Sequence, residues 1–134
     1  MKPIYQTIRD PGKGNCWAAC IASLVEANID DVPNFILDPD WFKATQEWLA
    51  ERGWGLIQLK WPEEIYDWQW PNCLVIMSGR GPRGVRHSVI CRLQMRNESG
   101  YAETHLVHDP YPGGSGLLKQ TDDQYISFVF RLTK

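Results

Sequence analysis

The chain has 134 residues, 43 % hydrophobic and 22 % charged, with a formal net charge of −2. That balance suits one globular domain with a real core, read here as residues 1–134, and gives no reason to expect nucleic acid or an anionic membrane surface as partner. No apolar run approaches the ~20 residues that cross a bilayer, and the start "MKPIYQTIRD" has neither an apolar signal core nor a small-residue cleavage site, so the expected location is a cytoplasm.

Residues 1–15 read as an extended start followed by a glycine-containing loop, "DPGKGN". Cys16 to about Ala27 reads as a helix that is apolar on every face, which predicts a buried central helix. "NIDDVPNF" is turn chemistry with Pro33 as a breaker. Asp40 is placed to cap a second helix, "DWFKATQEWLAERG", whose positions 41, 42, 45, 48 and 49 follow helical spacing, with Thr45 the weak member and Gly53 the stop. Seven tryptophans fall at 17, 41, 48, 54, 61, 68 and 70, which predicts aromatic packing between the early helices and the rest.

The second half reads as strands. "WGLIQLK" is one, and "WPEEIYDWQWPN" is irregular with room for a short helical turn. "CLVIMSG" is a continuous apolar run, expected at the centre of a sheet. After the loop "GRGPRG", "VRHSVICRLQM" and "AETHLVHD" form a strand pair around the turn "NESG". "PYPGGSG" is a loop, and "YISFVFRL" alternates at 126, 128, 130 and 132 as a half-buried closing strand. Helices first and strands second predict an α+β fold, a helix packed on an antiparallel sheet.

Four cysteines stand at 16, 20, 73 and 91. Without a secretion signal they are expected as thiols, and Cys73 and Cys91 as buried small hydrophobes. Cys16 differs, because it follows two glycines and an asparagine at a loop-to-helix junction. A sulfur there sits near free N–H groups and the positive end of the helix dipole, an environment that favours thiolate. A thiolate nucleophile needs a base and a group that orients the base. The histidines are His87, His105 and His108. In an antiparallel hairpin the start of one strand neighbours the end of the other, which brings His87 to Asp109. Strict alternation would put His105, Val107 and Asp109 on one face and His108 on the other. His105 would then be roughly 13 Å from Asp109's end of the strand. His87 is therefore the expected base and Asp109 its orienter, with Cys16 the nucleophile. A zinc site from Cys16, Cys20, His105 and His108 fits no finger spacing, so no metal is expected. Trp17 beside Cys16, and Arg83 and Arg86 beside His87, are candidate substrate contacts. Arg80, Arg83 and Arg86 suit a carboxylate or phosphate, with a solvated loop as the plain alternative.

The order Cys, His, Asp, with helix before sheet, resembles the papain-like cysteine peptidase superfamily. The nearest likeness is to the compact bacteriocin-leader peptidase domains of ABC exporters. The residues that carry it are "NCWAAC" with Cys16, "HSVI" with His87 and "VHDP" with Asp109 and Pro110. "HDPYPGGSGL" also resembles a segment of uncharacterised phage and bacterial proteins. The resemblance implies a papain-like fold and a thiol hydrolase that cleaves a peptide or isopeptide amide of a peptide or protein substrate through a thioester. It implies no cofactor, and a bacterial or phage-infected cytoplasm. Acyl transfer by the same triad, or an inactive binding or inhibitory protein on this fold, are the alternatives. The family usually has a glutamine six residues before the nucleophile as oxyanion donor. Here that position is Asp10, leaving Gln6, if "DPGKGN" bulges, and Asn15 as the candidate amides.

Overall fold

Apolar side chains on every face of Cys16–Val25 make this helix, α1, the centre of the molecule, and Trp17 through Ser23 are buried. The architecture is that of a computed structural model, which describes residues 1–65, 72–95, 102–118 and 123–133. The helix stops two residues before the expected Ala27. Glu26 turns left-handed at φ 58°, its N–H closes on Ala22 O, and Ala27 N–H bonds the same carbonyl. Asn28 then caps a short 3-10 turn, Ile29–Asp31, by accepting the Asp30 N–H. A second such turn, Phe35–Leu37, leads to helix α2, Trp41–Ala50.

Asp40 stands at the N-cap of α2, but its side chain makes no capping bond. Asp38 Oδ1 instead accepts the Asp40 N–H. Thr45, the polar member of the apolar stripe, is fully buried because its hydroxyl is doubly used. It donates to Trp41 O at 2.7 Å and accepts Trp17 Nε1–H at 3.0 Å, so it pins α2 to α1. Aromatic rings fill the space between them, with Trp17 edge-on to Trp41 and Phe35 edge-on to Trp48. Trp68 and Trp70 lie outside the described residues. Gly53, at φ 83°, makes the turn into the sheet.

Five antiparallel strands follow: β1 Trp54–Trp61, β2 Cys73–Arg80, β3 Arg86–Met95, β4 Ala102–His108 and β5 Gln124–Arg131. The turn Glu63–Ile65 is the helical turn foreseen after β1. The rest of that stretch, 66–71, and the turn "NESG" lie outside the described residues. The sheet order is β1-β5-β2-β3-β4, so the apolar run "CLVIMSG" does occupy the middle. The last strand is threaded between β1 and β2 rather than added at an edge. Its alternation also pays out unevenly, since Ile126 is buried while Phe130 is 40 % exposed. Phe130 instead lies over Gly55, where a side chain would have no room.

The core of α1 packs on Leu56, Ile76 and Ile90 of the sheet and on Phe35 and Leu49 of the helical layer. A second apolar cluster contains Val75, Met77, Val89, Cys91, Leu93 and Ile126. No helix among the described residues is long and apolar enough to cross a membrane. The fold is α+β, with helices first and one antiparallel sheet after them.

Candidate active site

The β3–β4 ladder carries a bulge. Ile90 pairs with His108 while the next residue, Cys91, pairs with Leu106, so Val107 is extra. This overturns the strict alternation expected for the return strand. Bulges re-aim side chains beside functional sites, and here the insertion changes the phase of everything after it. His105 and Asp109 do not share a face, whereas Asp109 turns to the side on which His87 projects. The His87 ring meets it there, with Nε2 at 2.6 Å from Asp109 Oδ1 and both side chains 3 % exposed.

Asp109 is held from three directions. Its Oδ1 also accepts Tyr111 N–H, and its Oδ2 accepts Gly116 N–H, each at 2.9 Å. The loop that provides these donors needs its glycines, because a side chain at Gly114 would overlap the Asp109 carboxylate. Burial raises the Asp109 pKa, but the bonds from His87, Tyr111 and Gly116 outweigh it, and the carboxyl ends below its ordinary value.

Cys16 is the first residue of α1, after Asn15 at the N-cap. Its sulfur lies close enough to the His87 ring to raise the ring's pKa. With Nε2 committed to Asp109, Nδ1 is the ring nitrogen left for it. Burial pulls the His87 pKa down, but the hydrogen bonds to Asp109 and Cys16 and their charges carry it up to about 9. The other three thiols are free as well. Burial pushes Cys20 far up, Cys73 up, and Cys91 to about 12, so at neutral pH they are held as thiols.

The loop before Cys16 folds back on itself. Lys13 N–H bonds Asp10 O, Asn15 N–H bonds Ile8 O, and Gly12 is left-handed at φ 74°. Gln6 is buried, its backbone N–H on Pro110 O and its side-chain Nε2 donating to Ile8 O at 2.9 Å. That amide lies against Gly14, 3.3 Å from where a Cβ would sit, two residues before Cys16. Among the described residues nothing bonds its Oε1. Asn15, by contrast, is spent on the loop. Its Oδ1 accepts the N–H groups of Thr7 and Ile8, and its Nδ2 donates to Thr7 Oγ1.

Cys16 and His87 open on a cleft of about 830 Å³. Trp17, Trp41 and Ile36 give it an apolar wall. Gln58 and the hydrogen-bonded hydroxyls of Ser78 and Ser88 give it a polar floor. Of the candidate substrate contacts, Trp17 lines the cleft although only 3 % of it is exposed. Arg86 also lines it, but two of its nitrogens are bonded to Asp123, which Arg80 also approaches at 3.9 Å. Arg83 is not part of the wall; it stacks on Tyr111 with its guanidinium carbon 3.6 Å from the ring centroid.

His105 is exposed and pairs with Glu103. His108 is buried, with Nε2 2.6 Å from Ile4 O, and ties the N-terminal segment to β4. The wall residues Trp41 and Ile36 and the Tyr111 and Gly116 donors were not singled out from sequence. The signal for the donors was present in "DPYPGGSG", an acid followed by a glycine-rich loop able to wrap it.

Compared with models of known protein families, with curated proteins and with solved structures, the chain matches none.

Proposed function

We propose that this protein is a papain-like thiol hydrolase that cleaves an amide bond in a peptide or protein. The observation that carries the reading is the relay of Asp109, His87 and Cys16, buried at its acid end and open to the cleft at its sulfur end. His87 takes the proton that Cys16 gives up, and the sulfur attacks the carbonyl as thiolate. The imidazolium then protonates the departing amine, leaving a thioester on Cys16. Neutral His87 next takes a proton from water as it attacks the thioester, and returns it to the sulfur as the acid product leaves. Asp109, fixed by two backbone N–H groups, keeps Nε2–H directed at itself and Nδ1 at the sulfur.

The oxyanion is held by the Cys16 N–H at the helix terminus and by Gln6. One Gln6 amide hydrogen serves Ile8 O, and among the described residues nothing takes the other. Asn15 shapes the loop that brings Gln6 in.

A set of peptidyl acyloxymethyl ketones, followed by peptide mapping, tests this reading. Labelling is expected at Cys16, lost in His87→Ala and slowed in Asp109→Asn. Equal labelling of Cys16 in wild type and His87→Ala would overturn it.

A further inference from the structure

The arginines near the site divide into two kinds. Arg80 and Arg86 share the carboxylate of Asp123. Arg9 and Arg83 have no acidic partner among the described residues, and both lie over the ring of Tyr111, at 5.5 and 3.6 Å from its centroid. The nearest buried acid, Asp109, is already occupied by His87, Tyr111 N–H and Gly116 N–H. Two uncompensated guanidinium groups are thus gathered on one aromatic ring.

Their positions tie them to the site. Arg9 belongs to the loop that Asn15 folds in front of Cys16. Arg83 belongs to the turn before His87, closed by Gly84 N–H on Gly81 O. Tyr111 is fixed by its own N–H on Asp109 and by Gly114 N–H on its carbonyl. Each segment that carries a triad residue therefore contributes one member of the cluster. Stacking uses the face of a guanidinium and leaves its in-plane N–H fork free, the geometry that matches a carboxylate. None of the three residues lines the large cleft, which is walled by Trp17, Trp41 and Ile36. If the acyl portion of a substrate fills that cleft, the cluster lies outside the space it takes, joined to His87 through the shared Asp109 oxygen.

From this arrangement we infer that Arg9 and Arg83 form a carboxylate subsite on the leaving-group side, so that the preferred substrate carries an acidic group there. The inference rests on the thiol-hydrolase reading and selects one class of substrate within it. Arg86, neutralised by Asp123, is not part of the subsite.

Alkylation of Cys16 tests it without a known substrate. The ratio of rates with anionic iodoacetate and neutral iodoacetamide is measured for wild type, Arg9→Gln/Arg83→Gln and Arg86→Gln, with circular dichroism to confirm folding. The double variant is expected to lower the ratio about fivefold or more, and Arg86→Gln far less. Internally quenched peptide pools then compare Glu with Gln after the cleaved bond, and a free C-terminus with its amide. The acidic member of one pair is expected to win, and the pair shows whether the carboxylate is a side chain or a terminus. An unchanged ratio in the double variant, an equal drop in Arg86→Gln, or indifference to charge in both peptide pairs would overturn the subsite and leave the hydrolase standing. Iodoacetamide reacting with Cys16 no faster than with free cysteine would remove the hydrolase reading itself, and the subsite with it.

Discussion

His87 is where burial and charge oppose each other most sharply. Burial favours the neutral ring, yet Asp109 and Cys16 hold the proton on it to about pH 9. Removing the Asp109 charge in Asp109→Asn should lower the His87 midpoint by roughly one unit or more, read from its ring resonances by NMR. A midpoint unmoved from about 9 would show that Asp109 is not what holds the proton. Gln6 supplies a second expectation at this scale. Gln6→Ala should cut turnover of a cleaved peptide by about 10²–10³-fold while Cys16 still alkylates, because alkylation develops no oxyanion for an amide donor to hold. A turnover loss matched by an equal loss of alkylation would assign Gln6 to loop structure instead. That Cys16, His87 and Asp109 come together was legible in the sequence because residue type and chain order limit the choices when only three histidines exist. The Arg9–Tyr111–Arg83 cluster was not, since it joins Tyr111 to residues 102 and 28 positions away through ring contacts that leave no local pattern.

Among the elements, two small irregularities position the acid. The bulge at Val107 changes the phase of β4, and the loop after it wraps the carboxylate with Tyr111 and Gly116 N–H groups. Periodicity could not have shown the bulge, because an extra residue leaves the apolar pattern of a short strand nearly unchanged. Gly114→Ala should push the wrapped carboxylate away and lower the His87 midpoint in the same direction as Asp109→Asn, measured by the same titration. Between the helices, Thr45→Val should cost about 1–3 kcal/mol in urea unfolding, since it strands Trp17 Nε1–H in the core. An unchanged midpoint would mean that Trp17 finds another acceptor. Thr45 looked weak in an apolar stripe because its partner lies on the other helix, 28 residues away.

Over the whole molecule, the division into helices and then an antiparallel sheet was legible from periodicity, and so was the central position of "CLVIMSG". The placement of the last strand between β1 and β2 was not, because alternation reports a half-buried strand without naming its neighbours. The buried pair also sets a pH dependence of stability. Asp109, lowered from 3.8, contributes above that value, and the contribution is lost as pH falls through its folded pKa. His87, raised from 6.5 to about 9, contributes fully below 6.5 and loses its contribution as pH rises through about 9. The Tm difference between wild type and Asp109→Asn should therefore be largest between pH 3.8 and 6.5, shrink as pH rises from 6.5, and be lost beyond about 9. A difference that grew toward alkaline pH would contradict the sign. The most direct test of the account is the pH profile of Cys16 alkylation by iodoacetamide in wild type and His87→Ala. The wild-type site should react at pH 6 faster than free cysteine, and His87→Ala should lose that acid limb. A wild-type rate no greater than that of free cysteine at pH 6 would contradict the claim that Cys16 and His87 work as a nucleophile and its base.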